Sequence, residues 1–167
     1  MAEIRVIEVG VGNTRLRGDA IAKVRGIPWT YCRLPYEPGY YFDDTMPPEL
    51  PIGERPIICG GRDFKNKNWG YALLDKIDLH HHIDTVLTGK ARGADAIAGQ
   101  WAWSRYKNVL TYPANWDKYG GAAGPKRNMQ MIREGKPDLV IAFPGGNGTA
   151  DMKKKALMCG IKLIEFV

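Results

Sequence analysis

Three short apolar runs, each followed by a cluster of glycines, indicate the architecture of this chain. These are Pro56–Cys59 before Gly60 and Gly61, residues 84–88 before Gly89 and Gly93, and residues 138–142 before Gly145, Gly146 and Gly148. Between them lie segments with apolar residues at helical spacing, as in Trp69, Leu73 and Ile77. Short apolar strands that alternate with helices predict an α/β fold with a parallel sheet covered on both faces.

The glycine clusters fall at one edge of the predicted sheet. Ligands of parallel sheets bind outside the carboxyl ends of the strands, near a topological switch point, so three such loops describe a cleft. Glycine also lets the backbone approach a ligand closely. The sequence therefore predicts ligand contacts from glycines of all three loops, namely Gly60, Gly61, Gly89, Gly145, Gly146 and Gly148.

The loop at residues 143–149, Phe-Pro-Gly-Gly-Asn-Gly-Thr, is the most specific of the three. It joins a predicted strand to a predicted helix, and the free N–H groups at a helix start hold anions, most often phosphate. We expect the backbone amides of Gly145, Gly146, Gly148 and Thr149, with the Thr149 hydroxyl, to form a phosphate cradle. The alternative is a tight structural turn in which Thr149 serves only as the helix N-cap.

Cationic, aromatic and amide side chains near these loops complete the predicted binding site. Arg127, in the first turn of a helix predicted from Lys126, offers a planar fork of donors to a phosphate. Arg62 is a second phosphate contact. Trp116 lies in a long loop at residues 113–125, where its ring either stacks on a base or only packs. Asn128 and Asn147 are further polar contacts.

Composition favours an anionic partner and gives no sign of export or metal binding. The 167 residues suffice for one domain with a small appendage, and the formal net charge of +6 serves either an anionic ligand or solubility. No apolar run approaches the roughly 20 residues of a membrane helix, and no signal peptide is readable. Three distant cysteines indicate a cytoplasmic protein without disulfides. The histidines at 80–82 diverge along a helix end, so neither a metal nor a cofactor is predicted.

The first 55 residues differ from the remainder. A strand is predicted at residues 4–9, and residues 28–56 hold seven prolines interspersed with aromatic residues. This irregular segment forms an extra strand pair, a lid over the cleft or an oligomer contact. We therefore divide the chain into an N-terminal extension, residues 1–55, and a ligand-binding domain, residues 56–167.

Five ordered motifs give the second region a specific resemblance. They are Gly-Gly-Arg-Asp-Phe at 60–64, Thr-Gly-Lys-Ala-Arg-Gly-Ala-Asp at 88–95, Pro-Ala-Asn-Trp at 113–116, Tyr-Gly-Gly-Ala-Ala-Gly-Pro-Lys-Arg-Asn at 119–128 and Phe-Pro-Gly-Gly-Asn-Gly-Thr-Ala-Asp-Met at 143–152. Together they resemble the YspA-like, YpsA-related branch of the SLOG superfamily, found in bacteria and phages. The resemblance implies a Rossmann-like three-layer sandwich that binds a nucleotide or nucleotide-derived ligand, in a protein that assembles as a homo-oligomer.

A better-understood relative in that superfamily, the cytokinin-activating phosphoribohydrolase, releases a base from a nucleoside 5′-monophosphate. Its hallmark Pro-Gly-Gly-x-Gly-Thr-x-x-Glu is matched here except at the Glu, where Met152 stands, and Arg127 matches an Arg of its preceding helix. N-glycosidic cleavage needs a carboxylate to stabilise an oxocarbenium-like state or to activate water, which methionine does not supply. Asp63, Asp95 and Asp151 are the carboxylates that substitute if this chain is an enzyme with Arg127 in its active site.

Three functions stay open from the residues. The first is nucleotide binding by a sensor or sequestering module, and the second is N-glycosidic hydrolysis of nucleoside monophosphates. The third is binding of single-stranded nucleic acid, supported by the positive charge and the N-terminal aromatic residues. The complete loop and the missing Glu favour the first.

Overall fold

The structure, a computed structural model, describes residues 4–7 and 54–166. Its strands are β1 (Ile4–Ile7), β2 (Pro56–Cys59), β3 (Thr85–Thr88), β4 (Asn108–Thr111), β5 (Leu139–Ala142) and β6 (Lys162–Phe166). Its α-helices are α1 (Lys67–His81), α2 (Ala94–Ser104), α3 (Trp116–Tyr119), α4 (Ala123–Gly135) and α5 (Asn147–Met158), with a 3-10 turn at Gly120–Ala122.

The strands form one sheet in the order β1-β6-β5-β2-β3-β4. The five strands from β2 to β6 are parallel, and β1 joins the edge antiparallel to β6. After β2 the chain runs outward through β3 and β4, then returns to the other side of β2 as β5. The topological switch point therefore lies between β2 and β5. Such a sheet confirms the predicted α/β class and its mostly parallel strands.

Two hydrophobic cores lie on opposite faces of the sheet. Helices α1 and α2 pack on one face, where Leu74 and Trp101 are fully buried with Ile58. Helices α4 and α5 pack on the other, where Met131 and Met152 join the second core. Because side chains alternate along a strand, adjacent residues of β2 enter different cores. This is the predicted three-layer sandwich.

Several predicted boundaries differ from the structure. Helix α4 begins at Ala123, before Pro125, because proline is tolerated in the first helical turn. Arg127 is consequently not in the first turn, where it was expected. Helix α5 begins at Asn147 rather than Thr149, and the loop at 113–125 contains α3 and the 3-10 turn. The proline-rich segment at 28–53 lies outside the described residues, so the predicted domain division stays a prediction.

Candidate functional site

The loops after β2 and β5 meet at the switch point and form a cleft of about 800 Å³. The Gly61 N–H donates to the Pro144 carbonyl across 2.9 Å, which ties the two loops together. The Gly61 carbonyl in turn accepts from the Ala94 N–H at the start of α2, 3.1 Å away. The cleft thus lies where the fold class places ligands, at the carboxyl ends of the central strands.

Two glycines of these loops are required by the packing of the protein itself. A Cβ at Gly60 would lie 2.6 Å from the Ala94 Cβ, and one at Gly145 would lie 2.2 Å from the Thr149 Oγ1. Gly146 and Gly148 differ, because a Cβ at either would meet no protein atom within 4 Å. Both line the cleft and are exposed, so contacts within the protein do not require glycine at either position.

The first residues of α5 line the cleft. Gly146 is the N-cap, and its carbonyl accepts from the Thr149 and Ala150 N–H groups, each at 3.0 Å. Asn147 and Gly148, the first two helical residues, lie too early to find a carbonyl four residues back within the helix. Thr149 is buried and is the third helical residue, so the alternative in which it serves as N-cap is wrong.

Arg127 bridges the loop after β3 to the acidic start of α2. Its Nη1 donates to the Gly89 carbonyl at 2.6 Å and lies 3.9 Å from Asp95 Oδ2. The Asp95 carboxylate accepts from the Gly89 N–H at 2.9 Å and more weakly from the Ala91 N–H at 3.4 Å. Burial raises the pKa of the Asp95 carboxyl, while the Arg127 charge opposes that shift. Asp95 is not the cap of α2, whose N-cap is Gly93.

Asn128 connects α4 to the start of α5. Its side-chain amide donates to the Gly148 carbonyl at 3.1 Å and to Asp151 Oδ2 at 2.8 Å, and its oxygen accepts from Arg127 Nε at 3.1 Å. Asp151 is also ion-paired with Lys155 one turn along α5. Asn128 is only 3% exposed, so its amide serves mainly to hold α5 against α4.

The rim of the cleft carries exposed side chains. The Arg62 guanidinium carbon lies 5.0 Å from the centre of the Trp116 ring, and Trp116 is 46% exposed. Asp63 is exposed and makes only a long contact of 3.5 Å with Arg92. Helix α1 is capped instead by Asn66, whose side chain accepts from the Trp69 N–H, so capping by Asp63 is not observed.

Nearly all the predicted site residues line this one cleft. Gly89 is the exception, since it lines a groove beside the cleft. The apolar part of the lining, which includes Cys59, Phe64 and Met131, was not among the predicted ligand contacts. A signal for Met131 was present, because it lies one turn after Arg127 on the same helix face.

Burial, with a smaller contribution from the Asp95 charge, raises the pKa of the Cys59 thiol to about 12, so the thiol is neutral at physiological pH.

Met152, at the Glu position of the phosphoribohydrolase pattern, does not line the cleft. Its side chain is fully buried in the core beneath α5. Thr149, Met152 and Ala156 recur at helical spacing and are all buried, which defines the face of α5 that packs on the sheet. Asp151, one residue earlier, does reach the cleft.

Within residues 4–7 and 54–166, no cluster of three His, Cys, Asp or Glu side chains is arranged to hold a metal. His81 of the histidine run lies with its Nδ1 2.8 Å from a Glu54 carboxylate oxygen, in a largely buried pair. None of the helices in this part of the chain is long and apolar enough to cross a membrane.

The chain is similar to a known family and to a phage protein. A family model described as the YspA, cpYpsA-related SLOG family matches residues 55–119, the span from β2 to α3. Gene 61 protein of Mycobacterium phage D29 is 37% identical over 121 residues, which cover 67% of this chain and 95% of that protein. No solved structure matches the chain significantly.

Proposed function

Because the chain belongs to the YspA, cpYpsA-related SLOG family, we propose that its cleft binds a nucleotide or nucleotide-derived ligand, as a sensor or sequestering module. The ligand phosphate is held by the first N–H groups of α5 and the Thr149 hydroxyl, with Arg127 and Arg62 supplying positive charge. The nucleoside lies along the cleft toward Trp116. A volume of about 800 Å³ is in the range of small-molecule sites.

Gly148 is the observation that carries the proposal. Neither Gly146 nor Gly148 has a positive φ, and a Cβ at either position would meet no protein atom within 4 Å. Gly148 even lies in the first turn of α5, where alanine favours a helix by about 1 kcal/mol over glycine. Gly146, with ψ −148, lies outside the backbone regions that L-residues favour, so its own conformation favours glycine. At Gly148 the fold gives no reason for glycine, whereas close approach of a phosphate to the backbone does.

Two of the three carboxylates that line the cleft, Asp95 and Asp151, favour binding over turnover. Asp151 is held by Asn128 and Lys155, and Asp95 is held by two backbone N–H groups with Arg127 nearby. Both side chains thus already have partners in the folded protein. The Glu of the related hydrolases has no counterpart in the cleft, since Met152 is in the core.

The test is isothermal titration against nucleoside mono- and triphosphates, NAD, ADP-ribose and cyclic nucleotides, followed by chromatography of each mixture. We expect saturable binding with the ligand recovered unchanged. The variant Gly148→Ala should bind at least about tenfold more weakly, a loss of about 1.4 kcal/mol. Gly99→Ala is the matched control, because its Cβ also meets nothing within 4 Å but lies on α2, away from the cleft. Equal weakening by both variants, or no binding by the native chain, would contradict the proposal.

N-glycosidic hydrolysis is a second candidate that one observation favours. Asp95 lines the cleft, and burial raises the pKa of its carboxyl against the opposing effect of Arg127, which is the direction that a general acid for a departing base requires. Conversion of a nucleoside monophosphate to free base and ribose phosphate would support this function. Asp95→Asn should then abolish conversion while titration still shows binding. Conversion that survives in Asp95→Asn would exclude Asp95 as the acid.

A further inference from the structure

A groove beside the cleft has a distinct chemical character. Its volume is about 460 Å³, and it shares Arg62, Ala91, Trp116 and Arg127 with the cleft, so the two spaces are continuous. Beyond these shared residues the groove is lined by Gly89, Lys90, Arg92, Pro113 and Ala114. The residues at the start of α5 line only the cleft, whereas Lys90 and Arg92 line only the groove.

The charges of the two spaces differ in a way that indicates a second anion. The cleft is lined by three carboxylates, of which Asp95 and Asp151 each have a cation nearby on the protein and Asp63 lies at the exposed rim. The lining of the groove contains no carboxylate, although it brings together Arg62, Lys90, Arg92 and Arg127. The contact of Arg92 with Asp63 is 3.5 Å long and exposed, which makes it a weak pair. Asp95 compensates Arg127, so the excess positive charge of the groove comes from Arg62, Lys90 and the weakly paired Arg92, and this excess attracts an anionic group.

The backbone at Lys90 supports the same assignment. Lys90 has φ +55, in the left-handed region that non-glycine residues rarely adopt. The other described non-glycine residues with positive φ, His82, Tyr106 and Lys136, lie at the C-terminal ends of helices, where this conformation is common. Lys90 ends no helix, and its N–H donates to Thr88 Oγ1 at 3.0 Å. Unusual backbone conformations of this kind cluster at ligand sites.

We propose that the groove is a second phosphate subsite, and that the ligand is a nucleotide with phosphates on both sides of one nucleoside. The first phosphate binds the α5 N-terminus, the nucleoside lies at the junction beside Trp116, and the second phosphate binds Lys90 and Arg92. Nucleoside 3′,5′-bisphosphates and 5′-phosphorylated dinucleotides share this chemistry. The inference rests on the proposed function, because the first phosphate is the one assigned there.

The test compares three ligands for each of the four bases: the ribonucleoside 5′-monophosphate, the 5′-diphosphate and the 3′,5′-bisphosphate. The diphosphate places its extra charge next to the first phosphate, whereas the bisphosphate places it across the sugar. We expect the bisphosphate of the preferred base to bind at least about tenfold tighter than either of the others, from new charge-assisted hydrogen bonds. A phosphorylated dinucleotide should share this advantage.

The variant Lys90→Asn/Arg92→Gln should remove that advantage and leave the affinity for the monophosphate unchanged. Asparagine is chosen at 90 because it tolerates a positive φ. Arg133→Gln/Lys136→Asn is the matched control, with the same charge change at exposed positions of α4 and with Lys136 also at positive φ, +47. The control should keep the full advantage.

Three results would overturn the inference in distinguishable ways. If the monophosphate binds but the bisphosphate is no better than the diphosphate, the second subsite is wrong and the proposed function stands. If no nucleotide binds, both fail together. If a single-stranded dodecamer binds far more tightly than any bisphosphate, with steep loss in salt, the groove serves a nucleic-acid strand instead.

Discussion

Replacing Gly89 with alanine should displace the Arg127 guanidinium. A Cβ at Gly89 would lie 1.4 Å from Arg127 Nη1, 2.2 Å from its Cζ and 2.8 Å from Asp95 Oδ2. Because the guanidinium is the far end of a flexible side chain, it moves away rather than forcing the sheet apart. The hydrogen bond of 2.6 Å from Arg127 to the Gly89 carbonyl is then lost, and Asp95 loses its nearby cation.

The cost follows from those two losses. A hydrogen bond to a charged group contributes about 1.5–3 kcal/mol. Removing the Arg127 charge also raises the pKa of Asp95 further than burial already does. A carboxyl whose pKa is higher in the folded state than in the unfolded state destabilises the protein. The destabilisation is complete at pH values above the folded-state pKa, and it disappears as the pH falls below the unfolded-state pKa. We expect Gly89→Ala to lower the free energy of unfolding by about 2–4 kcal/mol at pH 7 and by less at pH 4.

Urea denaturation of the native protein, Gly89→Ala, Arg127→Ala and the double variant tests this reasoning as a double-mutant cycle. In an Arg127→Ala background the new methyl group meets no guanidinium, so most of the cost of Gly89→Ala should disappear. Gly99→Ala, in the middle of α2 with open space around its Cβ, should instead stabilise by up to about 1 kcal/mol. Additive effects of Gly89→Ala and Arg127→Ala, or a Gly89→Ala protein as stable as the native one, would refute the assigned contact.

Three further outcomes follow from burial and charge. Met152→Glu should destabilise the core progressively as pH rises above about 4.3, the unfolded-state pKa of Glu, while Met152→Leu should cost less than about 1.5 kcal/mol; urea unfolding at pH 5 and pH 8 measures both. The hydrogen bond from Arg105 lowers the pKa of Asp75, so Asp75→Asn should lower the melting temperature at pH 7 and lose its effect as pH falls below about 3.9. Peptide mapping after iodoacetamide treatment at pH 8 should show modification of the exposed Cys159 and protection of the buried Cys59, whose thiol pKa is raised to about 12.

The fold was predictable because its signals are local. The strands β2, β3 and β5 are each wholly buried, and strands covered on both faces are rich in apolar residues, although β3 also buries Thr85 and Thr88. The glycine loops follow those strands in the sequence and meet at one edge because parallel strands share their direction. The helix starts were less predictable, since Pro125 is compatible both with the end of a loop and with a first helical turn.

The interior of the site was predictable only in part, because its contacts join distant parts of the chain. Arg127 donates to the carbonyl of Gly89, 38 residues earlier, and Asn128 donates to Gly148, 20 residues later. Residue type marks both as polar candidates near the cleft. Residue type does not show whether a side chain is available to bind a ligand or already hydrogen-bonds two loops together. That distinction depends on the geometry of the loops.

The interpretation of Met152 changes most between sequence and structure. Read as a pattern, methionine in place of Glu is the loss of a catalytic group from the site. In the fold, position 152 lies on the face of α5 that packs on the sheet, so a carboxylate there would be buried in the core rather than presented to a ligand. The question of turnover therefore depends on the carboxylates that do line the cleft, Asp63, Asp95 and Asp151. Among them only Asp63 is exposed and free of a close partner of its own, and it stands at the rim, beside Arg62.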